Sequence, residues 1–217
     1  VRAKQLLANA ITQFNDPETR AHAEYLLGNL TQADAGGTKD PELRQARYHA
    51  ALARFMKITG NYPDTEHASK AQFKIAVIYE RMGESDIAAQ EYVKLAYKYP
   101  DSAHLATAMA RLGTHFQRKA AGYEKKAAPL LAKTDDKDAQ HEGVALQTLS
   151  RIEYVKAAQI FERLQTRFPD NALAGKAGLY AGQTYIRAKK YKKAITALQR
   201  VIDDENYDGK TLRSEAM

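Results

Sequence analysis

The sequence predicts an all-α fold assembled from repeated helical hairpins. Three observations point to it. The 217 residues are rich in Ala, Leu, Lys, Gln and Glu, with only 12 Gly and 6 Pro. Few segments alternate with a period of two, so helix formers prevail over strand patterns. A short phrase also recurs: Tyr62-Pro63-Asp64, Tyr99-Pro100-Asp101 and Phe168-Pro169-Asp170, with a degenerate copy at Phe14-Asn15-Asp16. Thirteen residues after the middle of each copy comes a small residue: Gly28, Ala76, Gly113 and Gly182. A phrase with a fixed echo marks a repeated structural unit.

The middle positions Asn15, Pro63, Pro100, Pro169 and, by extrapolation, Asn206 serve as anchors. Twelve residues before each stands Ala3, Ala51, Ala88, Ala157 or Ala194. Eight before stands Leu7, Phe55, Tyr92, Phe161 or Leu198, and five before stands Ala10, Ile58, Leu95, Leu164 or Val201. After the first four anchors, Ala23, Ala71, Ala108 and Ala177 follow at eight. Thr31, Tyr79, Phe116 and Tyr185 follow at sixteen. These offsets keep each set on one helix face. The small echo residue allows the first helix of a pair to approach the second closely. Proline ends one helix, having no N–H and clashing with the preceding turn, and the polar residue after it can cap the next.

The elements follow in order. Ala3, Leu7 and Ala10 form a partial repeat over 1–15. Repeats then cover 16–63, 64–100, 101–169 and 170–206, with a further partial unit over 207–217. Asp16-Pro17-Glu18 and Asp40-Pro41-Glu42 are clear helix starts, each with a cap, a first-turn proline and an acid at the positive end of the dipole. Pro63 and Pro100 are 37 residues apart, as are Pro169 and Asn206. Asn15 to Pro63 spans 48, and the excess falls on the polar stretch 32–39, which reads as a mobile loop. Pro100 to Pro169 spans 69, leaving 32 extra residues at about 118–149. Ala120, Ala121, Ala127, Ala128, Leu130 and Leu131 precede a polar break at 134–138. Val144, Leu146, Leu149, Ile152 and Val155 follow it. Both helices of this pair then lengthen into an arm, with Pro129 placed to kink or end the first. A separate short helix packed on the array is the other arrangement. Helical patterns at both ends suggest a fragment of a longer protein.

The small, aromatic, alanine, aromatic and proline positions (Ala76, Tyr79, Ala88, Tyr92 and Pro100 in one unit) resemble the tetratricopeptide repeat (TPR) family. The last unit gives Gly182, Tyr185, Ala194, Leu198 and Asn206 at the same places. The family's tryptophan is absent. The resemblance implies a right-handed α-solenoid, one pair of which carries the long helical insertion. The 37-residue spacing exceeds the family's usual ~34. With the Tyr-Pro-Asp-Ser junction, it is similar to that of bacterial cell-envelope members of the β-barrel assembly lipoprotein and Tol–Pal-associated types.

No catalytic constellation emerges. The six histidines are scattered, and His141-Glu142 has no second histidine at metal spacing. Gly36-Gly37 lacks the pattern of a phosphate loop, and serine-nucleophile motifs are missing. There is no cysteine, which excludes disulfides and thiolate metal sites. The longest apolar runs fall short of a membrane span. The net charge of +7 and pI of about 9.4 permit acidic partners but select none. Arg118-Lys119, Lys125-Lys126 and the run from Arg187 to Lys193 are the basic segments; the last sits at a tight turn, where exposed lysines are ordinary.

The expectation is therefore a scaffold without enzymatic activity, cofactor or metal, binding a protein or peptide. The resemblance places the partner on a groove lined by the first helices, at Tyr25, Asn29 and Gln32; Phe73, Val77 and Glu80; Arg111, Thr114 and Gln117; and Leu179, Gln183 and Ile186. The arm is a second contact candidate. A periplasmic or outer-membrane-associated location follows from the envelope likeness, with the cytoplasm as the alternative. A self-assembling structural protein, or a scaffold domain of a larger enzyme or export machine, are the rival readings. Nucleic acid is not an expected partner.

Overall fold

A computed structural model describes residues 2–203. Among these, nine helices and no strand occur: α1 (Arg2–Gln13), α2 (Pro17–Gly36), α3 (Pro41–Asn61), α4 (Glu66–Arg81), α5 (Ser85–Lys98), α6 (Leu105–Leu131), α7 (Lys137–Arg167), α8 (Ala174–Arg187) and α9 (Tyr191–Asp203). The anchor at Asn206 and the partial unit 207–217 lie outside the described residues. The chain divides into two compact units, Val1–Ala108 and Met109–Met217. In the first, α1 packs on α2, α2 on α3, α3 on α4 and α4 on α5, with α2 also touching α4. In the second, α7 packs on α8 and α8 on α9.

The recurrent phrase folds the same way each time. Tyr62, Tyr99 and Phe168 end α3, α5 and α7 with φ near −130° and ψ of 49°, 64° and 59°. Their N–H groups donate to Ile58, Leu95 and Leu164, at 2.9, 2.9 and 3.0 Å. Each C=O then accepts from the residue three further on, Thr65, Ser102 or Asn171. Here the structure differs from the capping expected of the residues after proline. Thr65 stands at the N-cap of α4 but directs its hydroxyl back to the Tyr62 carbonyl at 2.8 Å. Ser102 and Asn171 bridge two residues forward, to the N–H groups of His104 and Leu173. These side chains close the turn instead of capping the helix. Side-chain caps do form where an Asp-Pro pair was read as a start. Asp16 accepts from Thr19 N–H at 2.8 Å, and Asp40 from Glu42 and Leu43 N–H.

The echo residues sit where the helices of a pair come closest. A Cβ on Gly28 would stand 2.8 Å from the Phe55 ring, and one on Gly113 2.6 Å from Phe161. Gly182 faces Leu198 in the same way. The large residue eight before each anchor therefore fills the space left by the small residue thirteen after the previous one. Phe55 and Phe161 are at most 1 % exposed as a result.

Most of the stretch 32–39 is helix, and only its last residues, 37–39, lie between α2 and α3. α2 continues to Gly36, and Gln32 and Ala35 are buried. Ala33 and Ala35 are strong helix formers, and the glycines interrupt only at the end. Arg47 of α3 reaches back to the Asp34 carbonyl at 3.0 Å and the Thr38 hydroxyl at 2.6 Å, satisfying the terminal turn. The extra residues thus lengthen α2 and α3 to 20 and 21 residues, against 16 and 14 in the next pair.

The 32-residue excess also goes into helix. α6 has 27 residues and runs through Pro129, and α7 has 31. The two pair along their extensions. Ala127 and Ala139 are buried, and Leu131 fills the space a Cβ on Gly143 would take. Gln140 donates to the carbonyls of Leu131 and Lys133, and Asp136 caps α7 through Ala139 N–H. Leu130, Leu131 and Leu146 are half-buried, whereas Val144, Leu149 and Ile152 are exposed.

Candidate functional site

The groove positions expected on the first helices fall into two sets, one per unit. On α2 and α4, Tyr25, Asn29, Phe73, Val77 and Glu80 are half-buried, while Gln32 is 5 % exposed. The rings among them belong to a ladder. Tyr25 stands edge-on to Phe55 at 5.7 Å and tilted to His67 at 5.5 Å, and His67 stacks on His22 at 4.6 Å. One repeat later, His104 stacks on Phe73 at 4.8 Å. Tyr25 and Phe73 each lie ten residues after an anchor, and His67 and His104 each lie four after one. An aromatic ring thus meets a histidine at the same register twice, His67 on α4 and His104 in the turn just before α6.

The six histidines are scattered along the sequence. Their shared offset of four from Pro63 and Pro100 was the signal that two of them are a repeat feature. Glu18 meets His67 Nδ1 at 2.7 Å. Burial, then the charges of Lys70 and Lys74, hold His104 below the ordinary imidazole value. Lys70 pairs with Glu66 at 2.5 Å, which lowers the acid and raises the base. Burial, then Arg81, lowers Lys74. This face of the first unit thus offers aromatic rings, imidazoles and lysine side chains.

In the second unit, Arg111 and Gln183 are exposed and Ile186 is 46 % exposed. Gln117 donates to the Thr184 hydroxyl at 2.5 Å, and Thr114 bonds back to the Ala110 carbonyl. Leu179 is 2 % exposed and packs with Ala174 and Val201, so it serves the core.

Two buried tyrosines tie helices together here. Tyr154 donates to Glu124 at 3.0 Å, and Arg187 joins the same carboxylate at 2.6 Å while lying 4.6 Å over the Tyr154 ring. Tyr185 donates to Glu162 at 2.8 Å, which Arg200 meets at 2.7 Å. Burial and then the carboxylate push the Tyr154 phenol up to about 12, and Tyr185 is raised for the same reasons.

Among the described residues, no group of three or more His, Cys, Asp or Glu could hold a metal ion. None of their helices is long and apolar enough to cross a membrane.

Compared with known protein families, the tetratricopeptide repeat matches residues 70–102 and 176–205. No curated protein matches the chain. The first match takes in most of α4, all of α5 and Tyr99-Pro100-Asp101; the second takes in most of α8 and all of α9. The described residues form an all-α helical-repeat fold, and each of the two units contains one stretch similar to the tetratricopeptide repeat.

Proposed function

We propose that this protein is a non-enzymatic scaffold that holds a protein or peptide against its first helices. The observation that carries this reading is the α2–α4 face. Tyr25 and Phe73 are only partly covered there, and their neighbours His67, His104, Lys70 and Lys74 offer polar contacts beside apolar ring surface. Such a mixture suits peptide recognition. In the second unit, Arg111, Gln183 and Ile186 are the accessible positions, and the α6–α7 arm adds Val144 and Leu149. The 37-residue spacing and the Tyr-Pro-Asp-Ser junction support a place in a bacterial envelope assembly, in the periplasm or at the outer membrane.

Photo-crosslinking in cells tests this. A crosslinking residue at Tyr25, Phe73 or Gln183 should capture one partner, and the same residue at Met56 of α3 should not. Capture of that partner equally well from Met56 would sink the assignment. Self-assembly is the second reading, favoured by Tyr97 and Val93, which are 86 % and 51 % exposed one turn apart on α5. Molar mass in solution separates the two: a strict monomer argues against assembly.

A further inference from the structure

The positive charge of this chain is segregated. Residues 2–108 carry 13 Lys and Arg against 13 Asp and Glu, whereas residues 109–203 carry 18 against 9. Of those nine acids, Asp135, Asp136, Asp138 and Glu142 sit at the turn end of the α6–α7 hairpin. Glu124, Glu153 and Glu162 are engaged by Arg187, Lys156 and Arg200. With Asp170 and Asp203 as the remaining two acids, the rest of the unit, from the middle of α7 through α8 and α9, is left strongly cationic.

A cleft of about 450 Å³ opens there. One wall is a stripe of α7, Thr148, Arg151, Ile152, Val155 and Lys156; the other is the α8–α9 turn, Ala188, Lys189 and Lys190. No acidic residue lines it. Among the described residues, Lys189 and Lys190 meet no carboxylate, and Arg151 bonds only the neutral Gln147, at 2.8 Å. Between the cations lies an aliphatic strip: Ile152 is 46 % exposed, Val155 half-buried and Ala188 buried. The turn is also unusual. Lys189 has φ of +57°, where the corresponding turn of the α4–α5 pair has Gly83 at +83°. A side chain in that region is disfavoured by about 1–2 kcal/mol, so a lysine there works against local stability.

We propose that this cleft docks an acidic peptide segment bearing one aliphatic side chain. Its carboxylates would meet Arg151, Lys189 and Lys190, and the aliphatic group would cover Ile152 and Val155. Charge complementarity selects the acid. The aliphatic strip selects a peptide over single-stranded nucleic acid, because the cleft has no ring on which a base could stack. The site is separate from the first-helix faces and does not depend on them.

Fluorescence anisotropy on the full chain tests the proposal. The probe is a labelled twelve-residue Glu/Ser peptide with a central Leu, beside a Gln/Ser counterpart and a labelled twelve-nucleotide single strand. The Glu peptide should bind saturably and the Gln peptide at least tenfold more weakly. Lys190→Glu with Arg151→Glu should cost at least tenfold in affinity, and Lys125→Glu with Lys126→Glu, the same charge change on α6, less than twofold. Replacing the peptide Leu by Gly should weaken binding severalfold in the parent protein but not in Ile152→Ser. Lys189→Gly should bind several-fold more weakly while unfolding at higher temperature, which separates a lost contact from a lost fold. Equal loss in the two charge-reversal pairs, tighter binding of the oligonucleotide than of the peptide, or no saturation by the Glu peptide would each overturn the proposal.

Discussion

The space that a Cβ on Gly113 would need is taken by the ring of Phe161, at 2.6 Å from where that atom would stand. The ring is fully enclosed, so it has little room to swing aside. Gly113→Ala must therefore part helices set for glycine, and should destabilise the protein by about 1–3 kcal/mol. The α4–α5 pair carries Ala76 at this register, so a methyl suits the fold when the helices are set for it. Phe161→Ala alone should cost about 3–5 kcal/mol, and the double variant should be more stable than the sum of the two losses. Urea titration of the four proteins in a double-mutant cycle measures this; strict additivity would show that the two positions do not share the space.

That contact also shows why much of the fold was legible. Gly28, Gly113 and Gly182 recur at a fixed distance after an anchor, and their partners Phe55, Phe161 and Leu198 at a fixed distance before the next. Repetition inside one chain supplies the comparison that a single sequence usually lacks. Features that do not repeat were harder to read. The stretch 32–39 looked like a loop because glycine and polar residues cluster there. Residues 32–36 instead continue α2, and the end of that helix is met by Arg47, a residue of the next helix. Leu179 shares its offset with Tyr25 and Phe73 but is covered by Val201 of α9, a contact that offset alone does not predict. The cleft at Lys189 and Lys190 was equally hidden, since its other wall comes from α7, more than thirty residues away.

Glu24 is fully buried, yet it meets Arg54 at 2.8 Å and Lys57 at 2.5 Å. Both cations keep over two-fifths of their side-chain surface in water. Removing the acid therefore leaves partners that can rehydrate, which is milder than stranding a buried charge. Glu24→Gln should lower stability by about 1–3 kcal/mol, and Arg54→Ala by less, because Lys57 remains with the carboxylate. Chemical denaturation of the two variants checks the order. A larger loss for Arg54→Ala would show that the carboxylate needs both cations.

His104 links the first-helix face to pH. Its imidazole is held below the ordinary value by burial and by Lys70 and Lys74, and it stacks on Phe73. The groups that face it are thus two cations and a ring. The unfolded chain takes up a proton more readily than the folded one, so stability is full above about pH 6.5. It should fall as the pH drops from there through the lower folded value. His104→Gln should flatten that part of the profile. Thermal unfolding between pH 7.5 and 5 measures it, and an identical slope in the variant would refute the role of His104.

At the alkaline end the sign reverses. Tyr154 is neutral when folded, and burial with the Glu124 contact pushes its phenol up to about 12. Tyr185 is raised by burial and Glu162. An unfolded tyrosine ionises near 10. The stabilisation from these phenols is therefore complete below pH 10 and is lost as pH rises towards 12. Lysines lose their charge over the same range, so the contrast must come from variants: Tyr154→Phe with Tyr185→Phe should be less stable at pH 8 but lose less stability between pH 10 and 11.5. The absorbance of tyrosinate offers a second readout: burial raises Tyr79 and Tyr99 as well, so the double variant should lose two, and not all, of the parent's late-ionising phenols. If the parent and the double variant lost stability in parallel above pH 10, the two carboxylate-bound phenols would not be the groups that set its alkaline limit.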